Sequence, residues 1–143
     1  MNTAIILAAG QGTRMRSKTP KVLHKVGGKY LLQHVIDASK ESVGEINVIV
    51  GHNSELVKEA IIDIKINWVL QEEQLGTGHA VQQATPFIED ESTCLILYSD
   101  VPLLKRTTIK QLINKANSSG FSLLSVLLAV SYTHLTLPTK RIV

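Results

Sequence analysis

The sequence predicts an α/β fold with a mainly parallel sheet. Short apolar runs rich in Ile, Val and Thr recur along the chain, several of them ending at Gly or at a Ser-Asp pair. Stretches with apolar residues at helical spacing lie between those runs. Strands that alternate with helices form βαβ units, and a strand buried on both faces reads as a continuous apolar run. Crossovers in such units are right-handed. At 143 residues the chain has the length of one domain.

Thr3 to Ala9 (TAIILAA) is the first such run; it opens on β-branched residues and stops at Gly10, the pattern of a buried parallel strand. A loop from Gly10 to Thr19 follows, closed by Pro20. Leu31, Leu32, Val35, Ile36 and Ser39 form a helical stripe that ends near Gly44. Ile46 to Val50 (INVIV) is a second buried strand. Ser54 opens a helix that turns Leu56, Val57, Ala60 and Ile61 to one face. Asn67 to Gln71 (NWVLQ) is a third, shorter strand, and Thr77 caps a helix running from Gly78 to Phe87, with Pro86 near its end. Thr93 to Tyr98 (TCLILY) is a fourth strand, ending at Ser99 and Asp100. Thr107 or Thr108 opens a helix through Ile109, Leu112, Ile113 and Ala116, which Gly120 stops. Phe121 to Val130 reads as a fifth strand.

Composition narrows the function classes. Apolar residues make up 44% and charged residues 19%, which excludes a disordered tail, a collagen-like rod and a highly charged linker. No apolar stretch approaches the roughly 20 residues needed to span a bilayer. Cys94 is the single cysteine, so an intramolecular disulfide and a CxxC metal site are excluded. The apolar run from Ala4 to Ala9 has no basic residue before it and makes a poor signal peptide, so the cytoplasm is the expected compartment, with no membrane partner. The formal charge is +3; leaving out Lys140 and Arg141, the 15 basic residues become 13 against 12 acids, a balance that says little about nucleic acid, and no nucleic-acid partner is expected. The distribution is more informative. Residues 14 to 29 hold Arg14, Arg16, Lys18, Lys21, Lys25 and Lys29 and no acid, a local basic loop that attracts an anion.

The same segment carries the first motif, LAAGQGTRM from Leu7 to Met15, followed by PKVLH from Pro20 to His24. Gly10 and Gly12 let the backbone approach a ligand with N–H groups turned to phosphate oxygens. Arg14 can fork onto a phosphate and Lys21 adds a point charge. No GK[ST] follows, which excludes a Walker A loop. A dehydrogenase is excluded as well: Met15 stands where the dinucleotide fingerprint needs its last Gly, and no acidic residue ends the second strand. Parallel sheets bind ligands at the carboxyl ends of their strands. Three polar segments fall there: Gly10 to Lys21, Gln71 to Gly78, and Tyr98 to Asp100.

AAGxGTRM with Pro-Lys shortly after resembles the signature loop of the sugar-nucleotide pyrophosphorylases, nucleotidyltransferases with a Rossmann-like three-layer fold. QEEQLGTGHA, Gln71 to Ala80, resembles the uracil-reading segment of the bacterial bifunctional members that form UDP-N-acetylglucosamine. HVIDA (His34 to Ala38), NWVLQ and YSDVPLL (Tyr98 to Leu104) are similar too, and the likeness runs to residue 129, through the first half of the family's catalytic domain. The resemblance implies transfer of UMP from UTP to N-acetylglucosamine 1-phosphate. It implies that Leu7, Ala8, Ala9, Gly10 and Gly12 lie against the nucleotide, and that Arg14 and Lys21 are the catalytic cations. It puts Gln71 on uracil, with Gly76 and Thr77 as the second contact; an amide offers both a donor and an acceptor, as uracil's edge requires. Tyr98 and Ser99 match nucleotide contacts, although Ser99 stands where the family usually has Gly, and Asp100 matches the Mg2+ ligand. The resemblance further implies an acetyltransferase domain and a homotrimer, both carried by a C-terminal part beyond these residues, along with the sugar contacts and a second metal ligand. The loop is shared with other uridylyl- and cytidylyltransferases. A different sugar phosphate, a cytidine nucleotide, or a non-catalytic nucleotide-binding fragment therefore stay open as alternatives.

Other chemistry-bearing residues read as structural. Cys94, mid-strand, is expected to be a buried core thiol. Trp68 is expected to pack. The histidines show no metal spacing, and His24 and His79, beside the motifs, are expected to support through hydrogen bonds rather than act as bases. After Ala129 the family likeness stops. VSYTHL, from Val130, resembles the translation of a transposon mosaic-end sequencing adaptor, so residues 1–129 are expected to be the native half-domain and 130–143 a non-native tail. Such a fragment is expected to expose a sheet edge and an apolar face.

Overall fold

The computed structural model describes residues 2–9, 19–52, 54–62, 65–101, 103–127 and 140–142. Strand β1 (Asn2–Leu7) leads through a short 3₁₀ turn (Lys21–Leu23) to a small antiparallel hairpin, β2 (Lys25–Val26) and β3 (Lys29–Tyr30). Then follow α1 (Leu31–Ser39), β4 (Glu45–Val50), α2 (Ser54–Ala60), β5 (Ile66–Leu70), α3 (Thr77–Ala84), β6 (Thr93–Tyr98) and α4 (Arg106–Ser119). Strands β5, β4, β1 and β6 lie side by side in that order, all parallel. This is the α/β sheet that the alternating apolar runs predict.

The two faces of the sheet are covered unequally. Ala4, Ile6, Ile46, Val48, Leu95 and Leu97 turn to one face, where α1 and α4 pack on them through Leu32, Val35, Ile36, Ile109 and Ile113. Ile5, Ile49 and Val69 turn to the other, under Ala80 and Ala84 of α3. Because α3 packs on β1, β4 and β5, the outward side of β6 is left open. There Leu95 and Leu97 are buried while Ile96 is 41% and Tyr98 37% exposed. This corrects the expectation for Cys94: it lies on the open side and is exposed. Trp68 packs, half-buried, against the larger core as expected.

Other departures have local causes. The first strand stops at Leu7 rather than Ala9, although the Ala8 amide still reaches the Ile49 carbonyl at 2.8 Å. In α2 the buried positions are Ser54 and Val57, with Ile61 just past the end, so Leu56, a third of a turn away, is 51% exposed. Gly76, not Thr77, is the N-cap of α3, and its φ of +106° is a backbone conformation that side chains disfavour. The helix after β6 begins at Arg106, ahead of the expected Thr107 or Thr108, and ends as expected at Gly120, with φ +81°. The expected fifth strand is largely absent. Residues 121–124 form no strand, and β7 (Ser125–Leu127) pairs antiparallel with β8 (Lys140–Ile142) in a separate ribbon. Residues 128–130 of that expectation lie outside the described residues. No helix among the described residues is long and apolar enough to cross a membrane.

Candidate functional site at the carboxyl edge of the sheet

Parallel pairing puts the ends of β1, β4, β5 and β6 on one edge. Leu7 is in register with Ile49 and with Tyr98, and Val50 with Leu70. The next residues out are therefore Ala8 and Ala9, Gly51, Gln71, and Ser99 with Asp100. The ladder continues into them: the Ser99 amide donates to the Leu7 carbonyl at 3.2 Å and the Gln71 amide to the Val50 carbonyl at 2.8 Å. Ala8, Ala9, Gln71 and Ser99 are buried, and Tyr98 is half-exposed. Parallel topology alone thus gathers residues from distant parts of the chain.

Two contacts close the edge further. The Lys21 ammonium lies 3.3 Å from Asp100 Oδ2, joining the PKVLH segment to the end of β6. Both side chains keep nearly half their surface open, 49% and 41%, so the pair can admit an anionic ligand. On the other side the Gln74 side-chain amide donates to the Ala9 carbonyl, tying the segment after β5 to the end of β1. Gly51 makes room for that tie: a Cβ there would lie 3.0 Å from Gln74 Nε2 and 3.3 Å from the Ala9 oxygen.

Gln71 is 3% exposed. Its Nε2 stands 3.4 Å from the Gly76 carbonyl oxygen and 2.9 Å from His79 Nδ1, and His79 Nε2 is 3.2 Å from the Gln83 amide. His79 is thus a hydrogen-bonding support, as expected. His52 bonds the Glu72 carbonyl at 2.6 Å and holds the same loop. Thr77 is the first residue of α3, and the first intrahelical bond runs from the Ala80 amide to the Gly76 carbonyl. The amides of the first turn therefore have no partner within the helix.

The structure brings together Leu7, Ala8, Ala9, Lys21, Tyr98, Ser99 and Asp100, and ties the Gln71–Thr77 segment to them through Gln74. Gly10, Gly12 and Arg14 lie outside the described residues. Gly51 and Gln74 are contributions that sequence reasoning missed. The signal for Gly51 was present, a glycine directly after a strand at the ligand-binding edge; Gln74 carries none, because its contact spans 65 residues of sequence.

Comparison with known proteins places the chain in a family and a fold. The profile of the MobA-like NTP transferase domain matches residues 4–136. The chain belongs to this family. Its match runs past residue 129 into the segment expected to be non-native. Among solved structures, Rv0371c of Mycobacterium tuberculosis H37Rv aligns with a TM-score of 0.72 at 19% identity, over 81% of this chain and 60% of that one. The same protein has been solved with manganese, aligning at 0.69 and 19% over 81% and 59%. A nucleotidyl transferase from Methanothermobacter aligns at 0.71 and 20%, over 80% and 57%. HddC from Yersinia pseudotuberculosis, complexed with GMP-PN, aligns at 0.65 and 24%, over 81% and 54%. These likenesses establish the nucleotidyltransferase fold. The chain spans about 60% of the length of the first of these structures.

Proposed function

We propose that the chain forms the nucleotide-binding part of a uridylyltransferase that moves UMP from UTP to N-acetylglucosamine 1-phosphate and releases pyrophosphate. The observation that carries this reading is the Lys21–Asp100 pair, a cation and a carboxylate 3.3 Å apart on the edge where the end of β1 and the Gln71 loop converge. Leu7, Ala8 and Ala9, with Gly10 and Gly12, would line the nucleotide, and Tyr98 and Ser99 would flank it. Gln71, Gly76 and Thr77 would meet the uracil. The choice of uridine and of the N-acetylated sugar rests on the likeness of QEEQLGTGHA and its neighbours to the pyrophosphorylases that form UDP-N-acetylglucosamine.

Asp100 suits a hard divalent cation. Mg2+ takes one or two carboxylates and fills its shell with phosphate oxygens and water. Among the described residues no group of three or more His, Cys, Asp or Glu forms a dedicated cage. The manganese complex of the mycobacterial relative supports a divalent metal in this fold. Bound at Asp100, Mg2+ would supply charge neutralisation to the phosphoryl oxygens.

The remaining chemistry is alignment of two anions. An oxygen of the sugar phosphate attacks the α-phosphorus of UTP. The bond from that phosphorus to the bridging oxygen breaks, and pyrophosphate leaves with the electron pair. The attacking group is already anionic, so no side chain has to remove a proton. Lys21 would hold the α-phosphate or the sugar phosphate, and Arg14 the triphosphate and the leaving pyrophosphate.

Titrating the chain with UTP, CTP and GTP in the presence of Mg2+ tests this. UTP is expected to bind tightest, and Lys21→Ala to weaken it about tenfold or more. The melting temperature should barely move, since an exposed ion pair is worth roughly 0–1 kcal/mol. Tighter binding of CTP or GTP would point to a different nucleotidyltransferase. Unchanged UTP affinity in Lys21→Ala would remove Lys21 from the site.

A further inference from the structure

The Gln71 amide belongs to a polar chain that reaches into α3. Its Nε2 lies 3.4 Å from the Gly76 carbonyl oxygen and 2.9 Å from His79 Nδ1. A carbonyl oxygen only accepts, so the long contact to Gly76 favours the nitrogen side there, and with His79 Nδ1 accepting as well both amide hydrogens are directed at protein. His79 then accepts at Nδ1 and carries its proton on Nε2. That proton needs an acceptor; the atom 3.2 Å away is Gln83 Nε2, which only donates, so the Gln83 amide has to be turned to serve. The Gln83 amide also reaches the His79 carbonyl at 3.4 Å, the same distance as Gln71 to Gly76, but Gln83 is only half-buried, so water can replace that bond, whereas Gln71 is 3% exposed. The Gln83 amide therefore yields, turning its oxygen to the ring. The chain runs one way: Gln71 donates to Gly76 and to His79, and His79 donates to Gln83. The carbonyl oxygen is what the Gln71 amide has left to offer.

We infer that His79 is a positioning residue that holds the Gln71 amide with its oxygen outward, setting the base site for a nucleobase that presents a ring N–H. The inference rests on the assignment of Gln71 to the base under the proposed function. Uracil has an N–H at position 3 of its ring. Cytosine has an acceptor there, and oxygen would face a lone pair. Without an acceptor at Nδ1, the 3.4 Å contact to Gly76 is too long to hold the amide alone, and either end can turn to the base.

Long-range proton–nitrogen correlation NMR on the wild-type chain reads the tautomer directly and needs no variant to fold. A proton on Nε2 of His79 is expected; a proton on Nδ1 at neutral pH overturns the inference whatever the chain binds. Equilibrium titration with UTP and with CTP, each with Mg2+, supplies the second arm. His79→Phe is expected to reduce the UTP-over-CTP preference about tenfold, the scale of one lost buried hydrogen bond. His79→Asn, whose side-chain oxygen can stand near the place of Nδ1, is expected to restore most of it, which a merely structural role would not produce. Melting curves of both variants separate loss of fold from loss of selection. If the wild type prefers UTP and folded His79→Phe keeps the same ratio, the positioning role fails and the base-site assignment stands. If the wild type shows no preference, the base-site assignment fails and takes this inference with it.

Discussion

A missing Cβ decides how closely two segments meet at the ligand edge. At Gly51 a methyl group would press on the Ala9 carbonyl at 3.3 Å and on the Gln74 amide at 3.0 Å. The amide ends a flexible side chain and can move, but the carbonyl is backbone and cannot. Gly51→Ala is therefore expected to cost about 1–2 kcal/mol, as overpacking does, and to lower the melting temperature by a few degrees. Gly78 is the matched control. A Cβ there would meet nothing within 4 Å, and it lies inside α3, where Ala is favoured over Gly by up to about 1 kcal/mol. Gly78→Ala should leave the melting temperature unchanged or raise it, and calorimetry of the two variants checks both. A fall with Gly78→Ala equal to that with Gly51→Ala would remove close approach as the explanation. At this scale the sequence was partly legible. Lys21, Gln71 and Asp100 stood out by type and place, whereas Gln74 did not, because its partner is set by folding.

Among the elements, α1 shows a helix tied down by electrostatics as well as by its apolar stripe. Leu31, Leu32, Val35, Ile36 and Ser39 are buried, the stripe expected from spacing. On its rim, Asp37 bonds Lys29 of β3 at 2.8 Å, Gln33 at 2.9 Å and Lys40 at 3.2 Å. Burial by itself pushes the Asp37 carboxyl up. The hydrogen bonds from Lys29, Gln33 and Lys40, with the Lys40 charge, outweigh that and hold it below its ordinary 3.8. A carboxylate whose folded pKa is depressed stabilises the fold above its unfolded pKa, and that contribution is lost as pH falls through the folded value. The contribution of Asp37 should thus be complete above about pH 5 and fade through the region below pH 4. Urea midpoints measured across that range are expected to fall less steeply for Asp37→Asn than for wild type. Parallel curves would show that the tether carries no net linkage. The hairpin that supplies Lys29 was not anticipated, since Lys25–Val26 and Lys29–Tyr30 are two residues each and too short to show a periodicity.

For the whole molecule, the consequence of the topology is an apolar edge. Among the described residues β6 ends the sheet, and Cys94, Ile96 and Tyr98 line an open groove of roughly 690 Å³ with α4 and Phe121 to Leu124. Phe121 is 73% and Leu123 53% exposed. A strand with one free edge beside exposed apolar side chains is a template for association. Ile96→Lys puts a charge on that side without touching the buried Leu95 and Leu97. Light scattering is expected to show a higher concentration threshold for association in this variant, with the unfolding free energy from urea titration within about 0.5 kcal/mol of wild type, the usual scale for a surface substitution. An unchanged threshold would clear β6 as the sticky edge.

Periodicity and composition by themselves determined the alternation of strands and helices, their order, and which segments reach the carboxyl edge. These follow from local hydrophobic spacing and from the geometry of parallel βαβ units, which leave few arrangements open. Only the tertiary structure decided that Gly76 rather than Thr77 caps α3, that Cys94 faces outward, and that Ser125–Leu127 pairs with Lys140–Ile142 instead of extending the sheet. It alone joined Lys21 to Asp100, Gln74 to Ala9 and Gln71 to His79. Those outcomes depend on which element covers which face and on contacts between residues far apart in the chain, and a local pattern of apolar and polar residues carries no record of either.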